Sequence, residues 1–324
     1  MSWLRDKRIA VTGGGGFLGS HVVRRLEERG CRDVFVVRSA GYDLRRVDHV
    51  LRMYDDAHPD VVIHLAAKVG GIALIADWPA EFLYDNLMIG AQVMDGARRF
   101  GVEKFVSTAT VCCYPEDAPV PLREEDLWAG YPEETNAPYG LAKKMLIVQA
   151  QAYRRQYGLN AVTLLPANLY GPGADFDPET SHVIPALIRK CLDAVNGGDD
   201  CIEVWGSGEA SREFLYVDDA AEAVVLATER YNSAEPVNVG NGREVTIREL
   251  VQMIARLTGF RRRVAWDPSR PDGQPRRCLD TSRARREFGF TARTALEHGL
   301  HRTLQWYLYE RARAPIDPNK ETVS

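Results

Sequence analysis

The stretch that decides the fold is RIAVTGGGGFLGSHVVRRLEERG, residues 8–30. An apolar run predicts a buried strand over 8–12, and after a run of glycines an amphipathic helical pattern continues to Gly30. Within the run, Gly13, Gly16 and Gly19 follow a GxxGxxG pattern. Glycines permit the tight turn and let backbone amides approach a phosphate group. A strand, a glycine-rich turn and a helix in this order predict a dinucleotide-binding unit rather than an ordinary turn.

The end of the second predicted strand, DVFVVR, indicates which dinucleotide binds. Proteins that bind NAD usually carry an acidic residue there for the ribose 2′-hydroxyl, but this chain has Arg38 and Ser39. A guanidinium group can hold a 2′-phosphate through charge-assisted hydrogen bonds, whereas an acid would repel it. The sequence therefore predicts NADP(H) rather than NAD(H), with a solvated surface charge as the alternative for Arg38.

Strand and helix patterns alternate over the first half of the chain. Further predicted strands lie at 60–67, 104–108 and 161–166, and further predicted helices lie at about 80–100 and 138–157. The strands are apolar throughout, which is typical of a sheet covered on both faces. We therefore predict an α/β fold with a Rossmann-type, doubly wound parallel sheet.

After Pro166 the alternation weakens, and prolines and glycines cluster in NLYGPGADFDPETS. We predict a smaller, discontinuous C-terminal substrate domain with helices near 182–195, 245–259 and 295–312. The predicted division gives residues 1–170, with returns near 214–241, to the NADP-binding domain, 171–213 and 242–313 to the substrate domain, and 314–324 to a flexible tail.

Composition limits the partners. The formal net charge is only -4, with acidic and basic residues interspersed, so we expect neither nucleic acid nor an anionic membrane as a partner. No apolar run reaches the roughly 20 residues that span a bilayer, and the N-terminus lacks the apolar core of a signal peptide. We expect a cytoplasmic protein with reduced cysteines, and no metal site because the cysteines form no CxxC motif.

Tyr139 and Lys143 stand four residues apart in APYGLAKK, on a predicted helix. Residues at this spacing share one helix face. The ammonium can lower the tyrosine pKa and hold a nicotinamide ribose, while the phenol exchanges a proton with a substrate oxygen. The pattern indicates an oxidoreductase dyad when it follows a glycine-rich βαβ unit.

Several longer stretches carry a resemblance to a known family. They are HLAAKVGGI (64–72), NAPYGLAK (136–143), NLYGP (168–172), SHVIPAL (181–187), VWGSG (204–208), REFLYVDD (212–219) and PDGQPR (271–276). Between about Lys7 and Tyr309 the chain resembles the extended short-chain dehydrogenase/reductases, or NAD-dependent epimerases and dehydratases. Within them it is similar to the GDP-L-fucose synthases. The resemblance implies an NADPH-dependent 3,5-epimerase-4-reductase that converts GDP-4-keto-6-deoxymannose to GDP-L-fucose.

The resemblance also implies where the cofactor lies. The expected cofactor-binding residues are Gly13, Gly14, Gly15, Gly16, Phe17, Leu18, Gly19, Arg38, Ser39, Ala66, Ala67, Thr108, Lys143, Pro166, Asn168, Leu169 and His182.

The same resemblance assigns the catalytic groups Thr110, Cys112, Tyr139, Lys143 and His182. Related 4,6-dehydratases carry a Thr-Asp-Glu run where this chain has Thr110, Val111 and Cys112, so the dehydratase acids are missing. A ketone at C4 acidifies the hydrogens on C3 and C5, and inversion there needs a base and an acid on opposite faces of the ring. A thiol and an imidazole can both titrate near neutrality. Buried packing is the alternative for either residue taken alone, and it is the role we expect for Cys113.

Five residues resemble those that grip the nucleotide sugar: Lys190, Trp205, Arg212, Asp272 and Arg277. Lys190 stands where an arginine is usual, and Arg277 where a lysine is frequent. Lysine keeps the charge of arginine but loses its bidentate fork, which leaves room for a different base or sugar. Plain surface charge is the alternative for each of them.

Other functions stay open. One alternative is an epimerase or reductase for another GDP-4-keto sugar, such as a 6-deoxyheptose or colitose precursor. A UDP-sugar 4-epimerase would retain NAD, which Arg38 disfavours, and would have no use for Cys112 and His182. A non-catalytic dinucleotide sensor would not need the Thr110–Tyr139–Lys143 set. The resemblance implies a homodimer through the helices near 80–100 and 138–157.

Overall fold

The computed structural model describes residues 2–270 and 273–313. The strands are β1 (Arg8–Thr12), β2 (Asp33–Val37), β3 (Val61–His64), β4 (Lys104–Thr108), β5 (Ala161–Pro166), β6 (Asn168–Tyr170), β7 (Cys201–Trp205), β8 (Ser211–Tyr216), β9 (Val237–Val239), β10 (Glu244–Thr246), β11 (Arg263–Asp267) and β12 (Arg276–Arg277). The α-helices are α1 (Phe17–Glu28), α2 (Val47–Ala57), α3 (Ile72–Asp77), α4 (Pro79–Arg99), α5 (Ala137–Tyr157), α6 (Val183–Gly197), α7 (Val217–Arg230), α8 (Ile247–Thr258), α9 (Ser282–Phe288) and α10 (Leu296–Arg313).

The central sheet has six parallel strands in the order β2-β1-β3-β4-β5-β9. The chain leaves β1 for β2 on one side and returns to β3 on the other side, so the strand order reverses at β1. In open α/β sheets, ligands bind outside the carboxyl ends of the strands at such a switch point. The topology therefore puts a crevice just beyond Thr12 and His64, where the glycine-rich turn begins.

Both faces of this sheet are covered by helices, because alternate residues of each strand point to opposite faces. Ile9 and Val11 of β1 join one apolar core, which includes residues of α1 and α7. Ala10 lies on the other face and joins a second core, which includes residues of α2, α4 and α5. The predicted doubly wound Rossmann-type sheet is confirmed.

The remaining elements form a smaller assembly around a third apolar core. Strand β8 lies between β10 and β12 and also pairs with β6, while β7 pairs with β11. Helices α6, α8 and α10 pack here, close to their predicted positions, and α8 begins with a capping box between Thr246 and Glu249.

Some segments after Pro166 return to the central sheet. Helix α7 packs on α1, and β9 pairs with β5. Helix α9 also packs on α7 and β9, although the sequence pattern gave no sign of it. The predicted domain boundaries, 1–170 with 214–241 and 171–213 with 242–313, stay a prediction. The tail at 314–324 lies outside the described residues. Within the ranges that are described, no helix is long and apolar enough to cross a membrane.

A buried carboxylate joins the central sheet to the smaller assembly around β8. Glu213 in β8 is only 1% exposed. Its oxygens accept hydrogen bonds from the backbone amides of Asn241 at 2.5 Å, Gly242 at 2.7 Å and Leu279 at 2.7 Å. Those amides belong to the turn after β9 and to the segment after β12. One side chain therefore fixes β8, the end of the central sheet and the β12 segment to one another.

We expect Glu213→Ala to lower the free energy of unfolding by about 3–5 kcal/mol, because it leaves the buried amide of Leu279 and the partly buried amides of Asn241 and Gly242 without their acceptor. Urea denaturation at pH 7 measures this change. Glu209→Ala is the matched control, because Glu209 is an exposed glutamate paired with Arg248, and such pairs contribute only about 0–1 kcal/mol. Equal losses in the two variants would contradict the role given to Glu213.

Candidate active site

The glycine-rich turn leaves a cradle at the switch point. Gly13 has a φ of +70°, and a Cβ there would lie 2.8 Å from the backbone nitrogen of Ala66. A Cβ on Gly19 would overlap the carbonyl oxygen of Gly13. Gly16 precedes α1 without a side-chain cap, so the first amides of that helix stay available to an anion. This cradle fits a dinucleotide pyrophosphate.

Arg38 lies over the same turn. A Cβ on Gly15 would come 2.8 Å from Nη1 of Arg38, so the guanidinium stands beside the glycine backbone. Both Arg38 and Ser39 are exposed directly after β2. Within the described ranges Arg38 has no ion-pair partner, which leaves its donors available to a ligand.

The other predicted cofactor residues lie along the carboxyl edge of the sheet, with two exceptions. Phe17 and Leu18 begin α1, Ala66 and Ala67 follow β3, Thr108 ends β4, Pro166 ends β5, and Asn168 and Leu169 belong to β6. Asn168 donates through Nδ2 to the carbonyl oxygen of Glu213, which ties this edge to β8. The exceptions are Lys143, which lies on α5, and His182, which precedes α6.

The catalytic candidates gather where a short 3₁₀ turn, Val111–Cys113, meets α5. Thr110 caps this turn and accepts a hydrogen bond from the Cys112 amide at 3.2 Å. Helix α5 packs directly on the turn because residue 140 is glycine; a Cβ there would overlap the carbonyl oxygen of Cys112. Cys113 is fully buried and donates to the carbonyl oxygen of Gly140 at 3.3 Å. The close approach brings Tyr139 beside Thr110 and Cys112.

The environment of Tyr139 keeps its phenol protonated at neutral pH. Burial raises the pKa of Tyr139, and the neighbouring thiols Cys112 and Cys113 raise it further. A hydrogen bond with Thr110 acts in the opposite direction. A protonated phenol hydrogen-bonded to a threonine can donate a proton to a substrate oxygen.

Lys143 lies one turn further along α5 and is 2% exposed. Burial lowers its pKa to about 8, while the nearby Cys113 thiol raises it. Among the described residues no carboxylate pairs with this ammonium. Lys143 also lies close enough to His64 to lower its pKa, although burial is the larger cause and brings that pKa to about 3. The lysine is therefore an unpaired cation at the base of the site.

Cys112 differs from its neighbour because its sulfur meets a cation. Arg277 donates through Nη1 to the Cys112 sulfur at 3.6 Å, and the thiol makes a longer contact of 3.9 Å with Oδ1 of Asn136. Cys112 is half-buried, whereas Cys113 is fully buried and its pKa is raised by burial to about 12. Only the first of the two thiols has both access and a charged neighbour.

His182 is exposed at the residue before α6, yet burial lowers its pKa while Asp175 raises it. Both properties suit a side chain that lines an open cleft. A Cβ on Gly71 would lie 3.4 Å from the Ser181 carbonyl oxygen, so the loop after β3 touches the segment that carries His182. No contact among the described residues joins the imidazole to Cys112, and their pairing across one sugar ring stays a prediction.

The structure brings some of the predicted substrate residues together. Strand register places Arg212 beside Arg277. Lys190 donates to the carbonyl oxygen of Glu203 in β7 at 2.6 Å, and Trp205 follows on the same exposed face of that strand.

The Arg270 guanidinium lies over the Trp205 ring, 4.8 Å from the ring centroid. Asp272 lies outside the described residues.

Sequence reasoning missed two polar contributors and one contact. Asn136 and Gln274 both lie inside the stretches that resemble the family. The available signal for Asn136 was its position just before the helix of Tyr139, and the signal for Gln274 was its closeness in sequence to Arg277. The contact of Arg277 with Cys112 had no such signal, because 165 residues separate them. The described ranges contain no group of three or more His, Cys, Asp or Glu side chains able to hold a metal ion.

We expect Lys143→Met to raise the free energy of unfolding at pH 7 by about 3 kcal/mol, because each unit of pKa shift corresponds to about 1.4 kcal/mol. The folded-state pKa is about 8 against an ordinary value of 10.5. Between these values the unfolded wild-type chain binds more protons, so the wild type gains stability as the pH rises. The difference between variant and wild type should therefore shrink toward pH 10.5. Urea denaturation from pH 7 to pH 10 measures it, and a constant difference would contradict the buried, unpaired ammonium.

Comparison with known proteins agrees with this geometry. Residues 9–240 match the model of the NAD dependent epimerase/dehydratase family. GDP-L-fucose synthase 1 of Arabidopsis thaliana is 42% identical over 95% of this chain and 96% of its own length. GDP-L-fucose synthase of Escherichia coli (strain K12) is 40% identical over 96% of this chain and 99% of its own.

A crystal structure of a GDP-L-fucose synthetase from Naegleria fowleri bound to NADP superposes with a TM-score of 0.87 at 29% identity, over 96% of this chain and 97% of that one. The resemblance drawn from the sequence motifs is confirmed, and the chain is an enzyme that uses a nicotinamide dinucleotide. It belongs to the NAD dependent epimerase/dehydratase family.

Proposed function

We propose that this enzyme is a bifunctional NADPH-dependent 3,5-epimerase-4-reductase that converts GDP-4-keto-6-deoxymannose to GDP-L-fucose. The observation that carries the proposal is the junction of the 3₁₀ turn with α5, where Thr110, Cys112 and Tyr139 meet above the buried Lys143. The high identity to curated GDP-L-fucose synthases along nearly the whole chain supports the same substrate.

Epimerisation begins with removal of a proton beside the C4 ketone. Cys112 takes this proton from C3 or C5, and its accessible sulfur fits the role of base. Hydrogen bonds from Thr110 and the protonated Tyr139 stabilise the resulting enolate oxygen. His182 returns a proton from the opposite face, which inverts the centre. Repetition at the second carbon completes the two inversions.

Reduction uses the same oxygen. When bound, the dinucleotide supplies a hydride for C4. Tyr139 donates its proton to the C4 oxygen, which becomes the hydroxyl group. Lys143 is placed one turn below to hold the nicotinamide ribose through its ammonium, which is charged below its pKa of about 8. One tyrosine thus serves both halves of the reaction.

The preference for NADP(H) over NAD(H) rests on Arg38. Its guanidinium borders the glycine-rich turn and no carboxylate occupies it within the described ranges. This is where the 2′-phosphate of a dinucleotide would emerge after β2, and a planar guanidinium matches phosphate geometry.

Another GDP-4-keto sugar, such as a 6-deoxyheptose or colitose precursor, is the second candidate. The observation that favours it is that the Lys190 ammonium, at a position where the resemblance implies an arginine, donates a hydrogen bond to the Glu203 carbonyl oxygen. A UDP-sugar 4-epimerase and a non-catalytic sensor are weaker candidates. The contact between Cys112 and Arg277 has no use in either.

We also propose a homodimer and a cytoplasmic location. Support for the dimer comes from exposed apolar side chains on the neighbouring helices α4 and α5, namely Leu83, Tyr84, Met145 and Val148. These two helices pack on each other, so a second copy could cover the exposed apolar side chains of both. The expected location rests on the sequence alone.

We expect the enzyme, given GDP-4-keto-6-deoxymannose and NADPH, to form GDP-L-fucose, identified by NMR. Without NADPH in deuterium oxide, the wild type should exchange the hydrogens at C3 and C5. Cys112→Ser should lose this exchange by at least about a hundredfold, because a serine hydroxyl is a far weaker base, while dinucleotide binding persists.

Cys113→Ser is the matched control, and it should retain exchange because that thiol faces the core. Unchanged exchange in Cys112→Ser would remove the thiol from the mechanism. A different product from the wild type would overturn the assigned substrate.

We expect Arg38→Ala to raise the KM for NADPH about tenfold or more and to leave the KM for NADH nearly unchanged, because only NADPH carries the 2′-phosphate. Steady-state kinetics with each cofactor measure the two constants. Arg32→Ala, an exposed arginine shortly before β2, is the control. Equal changes for NADPH and NADH would show that Arg38 does not read the 2′-phosphate.

A further inference from the structure

The surroundings of Arg277 differ from those of a surface cation. The residue is 9% exposed, and no carboxylate among the described residues lies within ion-pair distance of it. A buried guanidinium that lacks an anionic partner is costly to desolvate. Its contact with the Cys112 sulfur, at 3.6 Å through Nη1, is therefore its closest approach to a group that can become an anion.

The guanidinium is held in place rather than free to turn. Nε of Arg277 donates to Oε1 of Gln274 at 3.1 Å. Gln274 is also buried, and its Nε2 donates to the carbonyl oxygen of Glu116 at 2.8 Å. Glu116 follows the 3₁₀ turn closely in the chain. The same short segment therefore carries the thiol and anchors the side chain that orients the cation.

The other groups next to the Cys112 sulfur do not supply a positive charge, and the buried ammonium of Lys143 interacts with Cys113 instead. Tyr139, from α5, is a neutral phenol, and Cys113, from the same turn, is a buried neutral thiol. Asn136, at the start of α5, offers an amide oxygen that accepts from the protonated thiol at 3.9 Å. Arg277 is the cation in direct contact with the sulfur within the described ranges, and an adjacent cation stabilises a thiolate.

We propose that Arg277 is a positioning residue that holds Cys112 as a thiolate before substrate arrives, in addition to any contact it makes with the nucleotide sugar. The thiol proton leaves to solvent in the free enzyme. The sulfur can then accept the C3 or C5 proton, becoming a thiol again as the substrate becomes an enolate. This inference deepens the proposed epimerase and rests on it for its catalytic meaning.

Alkylation by iodoacetamide reports the thiolate without any substrate. Of the six cysteines, only Cys112 and Cys201 are not buried, so a Cys201→Ser background leaves one accessible thiol. The rate of Cys112 modification, followed by mass spectrometry of its peptide from pH 5.5 to pH 9.5, gives a midpoint and a high-pH plateau. The midpoint reports the thiolate, and the plateau reports access to the sulfur.

In this background we expect Arg277→Met to move the midpoint up by about one pH unit or more and to slow modification at pH 7 about tenfold, with the plateau retained. Arg277→Lys should restore much of the lower midpoint because it keeps the charge. Arg276→Met is the matched control, since Arg276 is the exposed neighbour that pairs with Glu244. It should leave the profile unchanged.

An unchanged midpoint in Arg277→Met, together with a raised KM for the GDP-sugar, would overturn the inference. Arg277 would then act only in substrate binding. Where Arg277→Met fails to fold, as judged by circular dichroism, Gln274→Leu provides the second variant. This variant removes the hydrogen bond that orients the Arg277 guanidinium, so it should raise the midpoint by a smaller amount. An unchanged midpoint in Gln274→Leu would equally overturn the inference. Failure of the proposed function shows separately, in the product formed by the wild-type enzyme.

Discussion

The carboxylate of Glu213 is the interaction on which the site depends. It is buried in β8 where three chain segments meet, and it accepts backbone amides from the other two: Asn241 and Gly242 after β9, and Leu279 after β12. Burial raises the pKa of Glu213, whereas the three amides lower it. The cost of desolvating the carboxylate is offset because it accepts hydrogen bonds from backbone amides just beyond β9 and β12, two strands too short to pair those amides themselves. The carboxylate fixes the β12 segment beside the turn that carries the cysteines, together with the pairing of β12 with β8 and the hydrogen bond from Gln274 to Glu116.

A second buried polar group supports the other side of that turn. The Asn238 side chain, fully buried in β9, accepts from the Tyr114 hydroxyl at 2.7 Å and donates to the carbonyl oxygens of Leu122 and Asp280. Its backbone amide donates to Glu124. Tyr114 comes directly after the paired cysteines, so the last strand of the sheet anchors the turn that carries them. The two thiols then separate by environment: one packs on α5, and the other meets Arg277.

The sequence predicted the parts of the fold that local pattern controls. The strand, glycine turn and helix from Arg8 to Glu28 are as expected, because each step depends on neighbours along the chain. The doubly wound sheet followed from the alternation of apolar strands with helices. The common helix of Tyr139 and Lys143 followed from their spacing, whereas the catalytic roles of these residues, and of Thr110 and Cys112 from motif matching, stay predictions.

Long-range pairing explains what the sequence did not predict. Strand β12 has two residues, too few to show a period, and it forms only because β8 offers it an edge. Nothing in the sequence predicted a role for Glu213, because its burial depends on amides contributed from elsewhere in the chain. The approach of Arg277 to Cys112 depends in turn on both. The position of β12 in the sequence also sets an order of synthesis. The six strands of the central sheet are complete at Val239, when Arg277 is still to be synthesised. The thiol therefore acquires its cationic neighbour only after every strand of the central sheet has been synthesised.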